Sequence, residues 1–255
     1  MMGRAVALRE AATQIRALPV PSAALAPSLT TCLSKSEHRL LAAYRHPRRR
    51  LEFVAGRLAL KRALLDRQSS AVRICAPDPL SEPLLSAAQR MRILPDRDGY
   101  PRLWIDDDPQ PARVSIAHAA GWAAAGCSSR PIGVDIVDLS APTAVSDDTP
   151  WLAGVDPDWR VRLRALLWGL RECLLKSGQI AAKTTWDLDA VRAVPTCPSG
   201  EVIARWPTGG NLAPLQVHID NKVIAAACAA LSRSAMLVMI LVPVPHRSAG
   251  STFDG

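Results

Sequence analysis

Lysine is nearly missing from a strongly basic chain. Of the 31 basic residues in this 255-residue sequence, five are lysines (Lys35, Lys61, Lys176, Lys183, Lys222), leaving 26 arginines against 23 acidic residues and a net charge of +8. Arginine presents a planar fork that matches phosphate and carboxylate. The surplus therefore points to an anionic ligand or partner: nucleic acid, a phosphate-rich cofactor or an acidic protein. Tyr and Phe are equally scarce, two of each beside seven Trp, a weak basis for a base-stacking surface although the Trp residues keep stacking open. Long apolar runs are missing too. The longest, Ala235 to Val244, is about half the roughly 20 residues of a membrane span and is closed by Pro243 and Pro245. An uninterrupted apolar signal core is lacking where Arg4, Arg9 and Glu10 stand, so a cytoplasmic protein is expected. Cys32, Cys75, Cys127, Cys173, Cys197 and Cys228 form no CxxC pair and no short Cys/His cluster. That argues against a zinc site or disulfide scaffold and for reduced, mostly buried thiols.

What is present is apolar material for one large or two small cores, 49% of the chain. Residues 1 to 30, with Pro19, Pro21 and Pro27, are expected to be a loosely held extension. Ser34 with Glu37 fits a capping box, and Leu40, Leu41 and Tyr44 continue a helix that Pro47 interrupts. A second amphipathic helix follows through Phe53 to Leu65, with Arg57 and Lys61 one turn apart. Short strands are expected at 72–75 and 102–105, with a turn at Asp98-Gly99 between Pro95 and Pro101. A hairpin over 113–127 and a strand over 132–137 form the expected centre of the molecule. A loop covers 138–157, a helix runs over 159–177 to Gly178, and strands follow at 202–206, 216–219, 223–228 and 237–242. The order of helices, strands, helix and strands indicates an α+β protein of two similar halves.

Chemistry gathers on the second half. Trp168, Glu172 and Lys176 are four apart and project from one helix stripe. A Glu/Lys pair at this spacing is most often a solvated surface pair worth about 0.3–0.5 kcal/mol. Asp135, however, lies between Ile132, Val134, Ile136 and Val137 in a strand apolar on both faces, and a buried carboxylate needs a partner. A Mg²⁺ ion held by Asp135 and Glu172, with water and phosphate in its other positions, would supply one. A turn hydrogen bond is the plainer alternative. His118, in an alternating strand, and Arg57 with Lys61, on a helix face, are weak signals alone.

Together these segments resemble a known family. "VSIAHAAGWAAAG" (114–126), "PIGVDIVDLS" (131–140) and "WGLRECLLKSG" (168–178) resemble, in order and spacing, the signature segments of 4′-phosphopantetheinyl transferases of the Sfp type. "FVAGRLALKRALL" (53–65) and "RDGYPRL" (97–103) resemble the family's N-terminal helix and Gly-x-Pro turn, so the resemblance runs from about Leu33 to Ala230. It implies an α+β pseudo-dimer: an N-terminal lobe over 31–128 on the coenzyme A side, a C-terminal lobe over 129–243 with the metal and catalytic helix, and a flexible tail over 244–255. It implies an enzyme that moves 4′-phosphopantetheine from coenzyme A to a serine of an acidic apo acyl or peptidyl carrier protein, releasing adenosine 3′,5′-bisphosphate. Such holo-carrier synthesis serves fatty acid, polyketide or nonribosomal peptide biosynthesis, and a monomer is expected. Asp135 takes the place of the metal-binding aspartate, Glu172 that of the glutamate acting as metal ligand and base, and Lys176 that of the lysine near the phosphates. Ser115, Ile116, Ala117 and His118 fall on the segment contacting the 3′-phosphate and ribose. Arg97, Gly99, Tyr100 and Pro101 fall on the turn that meets the adenine. Arg39, Arg57, Lys61 and Arg171 complete the expected coenzyme-binding set.

Three departures accompany the resemblance. Val137 stands where many relatives carry a second acid, with Asp138 one place later on the opposite strand face. Arg171 replaces the usual lysine before Glu172. Ala117 replaces a serine, and Tyr100 a basic residue. Two rival readings follow: a basic nucleic-acid-binding protein, or a coenzyme-binding relative without catalysis.

Overall fold

The structure is a computed structural model that describes residues 13–66, 72–141, 157–180, 213–219 and 222–241. Its first strand corrects the reading of residues 1–30 as a loose extension for the part from Gln14 onward, residues 1–12 lying outside the described residues: in β1 (Gln14–Pro19), Ile15, Ala17 and Leu18 are buried. The prolines that suggested a loose segment sit where proline is tolerated, Pro19 ending the strand and Pro27 in the first turn of α1 (Ala26–Thr30). The capping box forms as expected before α2 (Lys35–Ala43), the Ser34 hydroxyl accepting from the Glu37 N–H and the Glu37 carboxylate from the Ser34 N–H. Pro47 opens α3 (Pro47–Leu65). After β2 (Val72–Ile74) come α4 (Glu82–Arg90) and β3 (Met91–Pro95), which periodicity did not reveal. The helix is nine residues long, carries Pro83 in its first turn and fully buries only Ala88, so its apolar stripe is short.

Next, β4 (Pro101–Ile105), β5 (Asp108–Ala119) and β6 (Trp122–Ser128) continue an antiparallel meander, with Gly99 at φ +86° in the turn before β4. With β1 antiparallel to β6 and β2 parallel to β1, the sheet order is β2-β1-β6-β5-β4-β3. Strand β7 (Ile132–Asp138) leaves this sheet, so sheet membership changes between Ser128 and Ile132. After α5 (Pro157–Lys176), the strands β8 (Ala213–Ile219), β9 (Lys222–Ala230) and β10 (Ala235–Leu241) join β7 in an antiparallel sheet of order β7-β10-β9-β8. Most of the loop expected over 138–157, the strand over 202–206 and the 244–255 tail lie outside the described residues. The fold is α+β, with a six-stranded mixed sheet and a four-stranded antiparallel one.

Each sheet carries one long helix: α3 lies on β1, β5 and β6, and α5 on β7 and β10. One core forms under α3, where Leu58, Leu60 and Ala59 meet Leu18, Ala123 and Ala125. A second lies between the sheets, where Ile132, Val134 and Ile136 meet Ile15, Ala17, Ala117 and Ala124. The other face of β7 meets α5. At Gly133 a Cβ would stand 2.0 Å from the Cys173 carbonyl oxygen, so only glycine lets the helix backbone approach this closely. Helix α5 ends as its sequence indicates: Gly178 at φ +73° donates to the Leu175 carbonyl and Gln179 to that of Leu174, a Schellman motif. Cys32, Cys127, Cys173 and Cys228 are buried and unpaired, as expected, and burial pushes the Cys228 thiol up to about 12.

Candidate functional site

The close approach of α5 to β7 brings Lys176, in the last turn of the helix, onto Asp135. The Lys176 ammonium donates to Asp135 Oδ1 at 2.6 Å and to the Val134 carbonyl at 3.1 Å. The partner demanded by the buried carboxylate is thus a lysine of the stripe itself. Glu172 pairs instead with its neighbour, accepting from Arg171 Nη1 at 2.8 Å, while the Arg171 guanidinium lies 5.3 Å over the Trp168 ring. The Glu172–Lys176 surface pair does not form. Burial raises the Asp135 pKa, Lys176 opposes that rise, and the nearby Glu172 charge adds to it. Asp135 thus feels the charge of a second carboxylate, and a hard divalent cation takes one or two carboxylates and fills its other positions with water and phosphate oxygens. Among the described residues no three His, Cys, Asp or Glu side chains cluster as a metal site; Asp135 and Glu172 are two carboxylates that could hold such an ion.

Val137 does not open onto this site. It is buried, with Gly169 of α5 against its side chain. Asp138, beyond the end of the apolar run, accepts from the Ser140 N–H and hydroxyl, which hold its carboxyl below the usual range.

A cavity of about 210 Å³ lies where the 97–101 turn meets the end of α5, with Tyr100, Pro101, Arg113, Lys176 and Gly178 in its wall. Pro101 is also in the wall of a larger cavity of about 570 Å³, which opens between α2, α3 and β5 and is lined by Arg49, Glu52, Arg57, Gly99, Ile116 and His118. Segments distant in sequence therefore converge on two cavities sharing one proline. The β5 segment divides by strand alternation: Ile116 and His118 face the large cavity, whereas Ser115 and Ala117 are buried. The Ser115 hydroxyl accepts from the Val134 N–H at 3.0 Å, tying β5 to β7.

The expected coenzyme-binding set needs further correction. Lys61 is fully buried and donates to Glu37 Oε2 at 2.6 Å and to the Cys32 carbonyl at 2.7 Å, so its ammonium is a structural pin and not a cation on a solvated face. Arg57 reaches the cavity wall, but its guanidinium lies 4.4 Å over the Phe53 ring and 3.4 Å from Glu37. Burial lowers its pKa, and Glu37 opposes the drop. Arg39 is exposed on α2, whose cavity-lining residues are Leu40 and Ala43. Arg97 is exposed beside Asp98.

Two acidic residues went unseen as site elements in the sequence: Glu37, known there only as a capping residue, and Glu52. Both are buried helix carboxylates ringed by basic side chains. The signal for Glu52 was faint, an acid directly after Arg48, Arg49 and Arg50. No helix among the described residues is long and apolar enough to cross a membrane. In comparisons with known proteins, no family model matches the chain and no curated protein matches it significantly.

Proposed function

We propose that this chain is a Mg²⁺-dependent 4′-phosphopantetheinyl transferase of the Sfp type, a pseudo-dimer of two α+β lobes acting on an acidic carrier protein in the cytoplasm. The observation that carries the reading is the convergence of the 97–101 turn, the Ile116/His118 strand face and Lys176 on two adjoining cavities, beside the coupled carboxylates Asp135 and Glu172. Coenzyme A offers phosphates and a pyrophosphate, which match this basic lining. Asp135 and Glu172 would hold the Mg²⁺, which neutralises charge on a pyrophosphate. Lys176 adds a fixed positive charge beside them. Glu172 accepts the proton of the carrier serine as its oxygen bonds to the β-phosphorus. The bond from that phosphorus to the bridging oxygen breaks, and its electron pair leaves with adenosine 3′,5′-bisphosphate. The net charge of +8 steers both anionic substrates toward the protein.

The test is mass spectrometry of several apo-carriers incubated with the protein, coenzyme A and Mg²⁺. One phosphopantetheine added to a carrier is expected. Coenzyme binding with no addition on any carrier would favour the inactive relative. Salt-dependent binding to random oligonucleotides without coenzyme binding would favour the nucleic-acid reading.

A further inference from the structure

We infer that Glu52 is a positioning residue for His118. Glu52 stands on α3 with 7% of its side chain exposed, while Arg48 and Arg49 beside it are 65% and 59% exposed. Its Oε1 accepts from Arg48 Nε at 3.0 Å, and its Oε2 accepts from Arg49 Nη1 at 3.1 Å. The same Oε2 lies 3.4 Å from Nδ1 of His118, which approaches from β5. Two exposed arginines clamp one buried carboxylate, and that carboxylate faces one edge of an imidazole lining the large cavity.

A neutral imidazole carries its proton on one nitrogen and a lone pair on the other. A carboxylate facing Nδ1 keeps the proton there, as carboxylates do behind metal-ligating histidines. Nε2, on the opposite edge of the ring, is then the nitrogen that meets whatever fills the cavity. Burial holds the His118 pKa below its usual 6.5, Glu52 opposes that drop, and the Arg49 and Lys176 charges add to it. The ring is therefore neutral near pH 7, and Nε2 accepts a hydrogen bond from a hydroxyl or water of the ligand. Glu52 touches no ligand in this scheme. It acts by fixing the tautomer and rotamer of His118.

Two measurements test this, and only the second rests on the coenzyme reading. Long-range ¹H–¹⁵N NMR of the full chain, with His118 assigned among the five histidines by its loss in H118A, should show the proton on Nδ1 and an unprotonated Nε2. An Nε2-protonated ring in the wild-type protein overturns the proposal, whether or not any variant folds. Calorimetric titration with coenzyme A then compares wild type, E52Q, H118A and the double variant. A positioning role predicts that E52Q weakens binding about tenfold when His118 is present and less than about twofold in H118A. Equal losses in both backgrounds overturn it. If the wild-type protein binds no coenzyme A, the functional reading fails and the tautomer alone decides.

Discussion

Each half of the molecule uses a lysine on its long helix to reach a buried carboxylate at 2.6 Å: Lys61 of α3 meets Glu37, and Lys176 of α5 meets Asp135. The resemblance ends there. Lys61 and Glu37 have no exposed side-chain surface, and Glu37 also accepts from the Ser34 and Ile93 backbone N–H groups, with Arg57 Nε at 3.4 Å. Both carboxylate oxygens are thus already held by donors from within the fold. In the other pair Lys176 is 30% and Asp135 12% exposed, Lys176 lines a cavity, and a second carboxylate is close enough to raise the Asp135 pKa. The same residue types make a closed structural pin where burial is complete, and a partly exposed pair where it is not.

The sharpest way to break the comparison is at the closed pair. Lys61→Met keeps the volume and leaves Glu37 buried with the Arg57 Nε at 3.4 Å, so unfolding in urea should show a loss of about 3–5 kcal/mol. A loss under about 1 kcal/mol would mean that the pair is as tolerant as an exposed one. Val137→Glu should follow at about 2–4 kcal/mol, because the new carboxylate would be desolvated between β7 and Gly169 of α5. A lower Mg²⁺ requirement with an unchanged melting temperature would instead show that this strand face opens to the site.

Much of this contrast was legible in the sequence, but not all of it. The apolar run around Asp135 announced a buried acid, and the four-residue spacing announced the α5 stripe, since both signals are local and periodic. The identity of the partner was not local: Lys176 reaches Asp135 because Gly133 lets the helix touch the strand, and nothing in the stripe itself says so. Lys61 misled for a related reason. A lysine one turn from an arginine reads as a solvated face until a carboxylate from another helix covers it. The 115–118 segment divided by simple alternation, which a segment-wide resemblance hides. Residues 13–30 read as loose because prolines at strand ends and helix starts have the same composition as prolines in a loop. The fold class followed from element order. The packing of β7 against the first sheet needed the structure.

At the open pair the expected effect on the fold is smaller and depends on pH. The Asp135 pKa is raised on folding, so the folded state holds its proton more tightly than the unfolded chain does. This group therefore favours folding fully only below its ordinary value of 3.8, and its contribution falls as pH rises from there through the folded pKa. Asp135→Asn removes that decline. Its stability relative to wild type should improve between acidic and neutral pH and stay within about 1 kcal/mol of wild type at pH 7, because the partly exposed Lys176 remains hydrated and can donate to the amide oxygen. Urea titrations across pH 3.5–7 measure the slope, and an opposite slope would show that Lys176 outweighs the burial cost.

The smallest effect on stability belongs to Glu172→Gln, where the two demands on this helix separate. Glu172 is 26% exposed and paired with its neighbour Arg171, so losing its charge should change stability by no more than about 0.5 kcal/mol. Gln keeps the size and the hydrogen-bonding capacity, so Arg171 and Trp168 have no reason to move. If Glu172 takes the serine proton or holds the cation, transfer to an apo-carrier should nevertheless fall at least about a hundredfold, the usual scale of general base catalysis. Measuring transfer rate and urea midpoint on the same preparation gives the answer directly. A silent substitution in both would return Glu172 to the solvated surface, while a loss of both in parallel would make it a packing residue. A fall in rate alone, set beside the stability loss of Lys61→Met, would distinguish the open pair from the closed one.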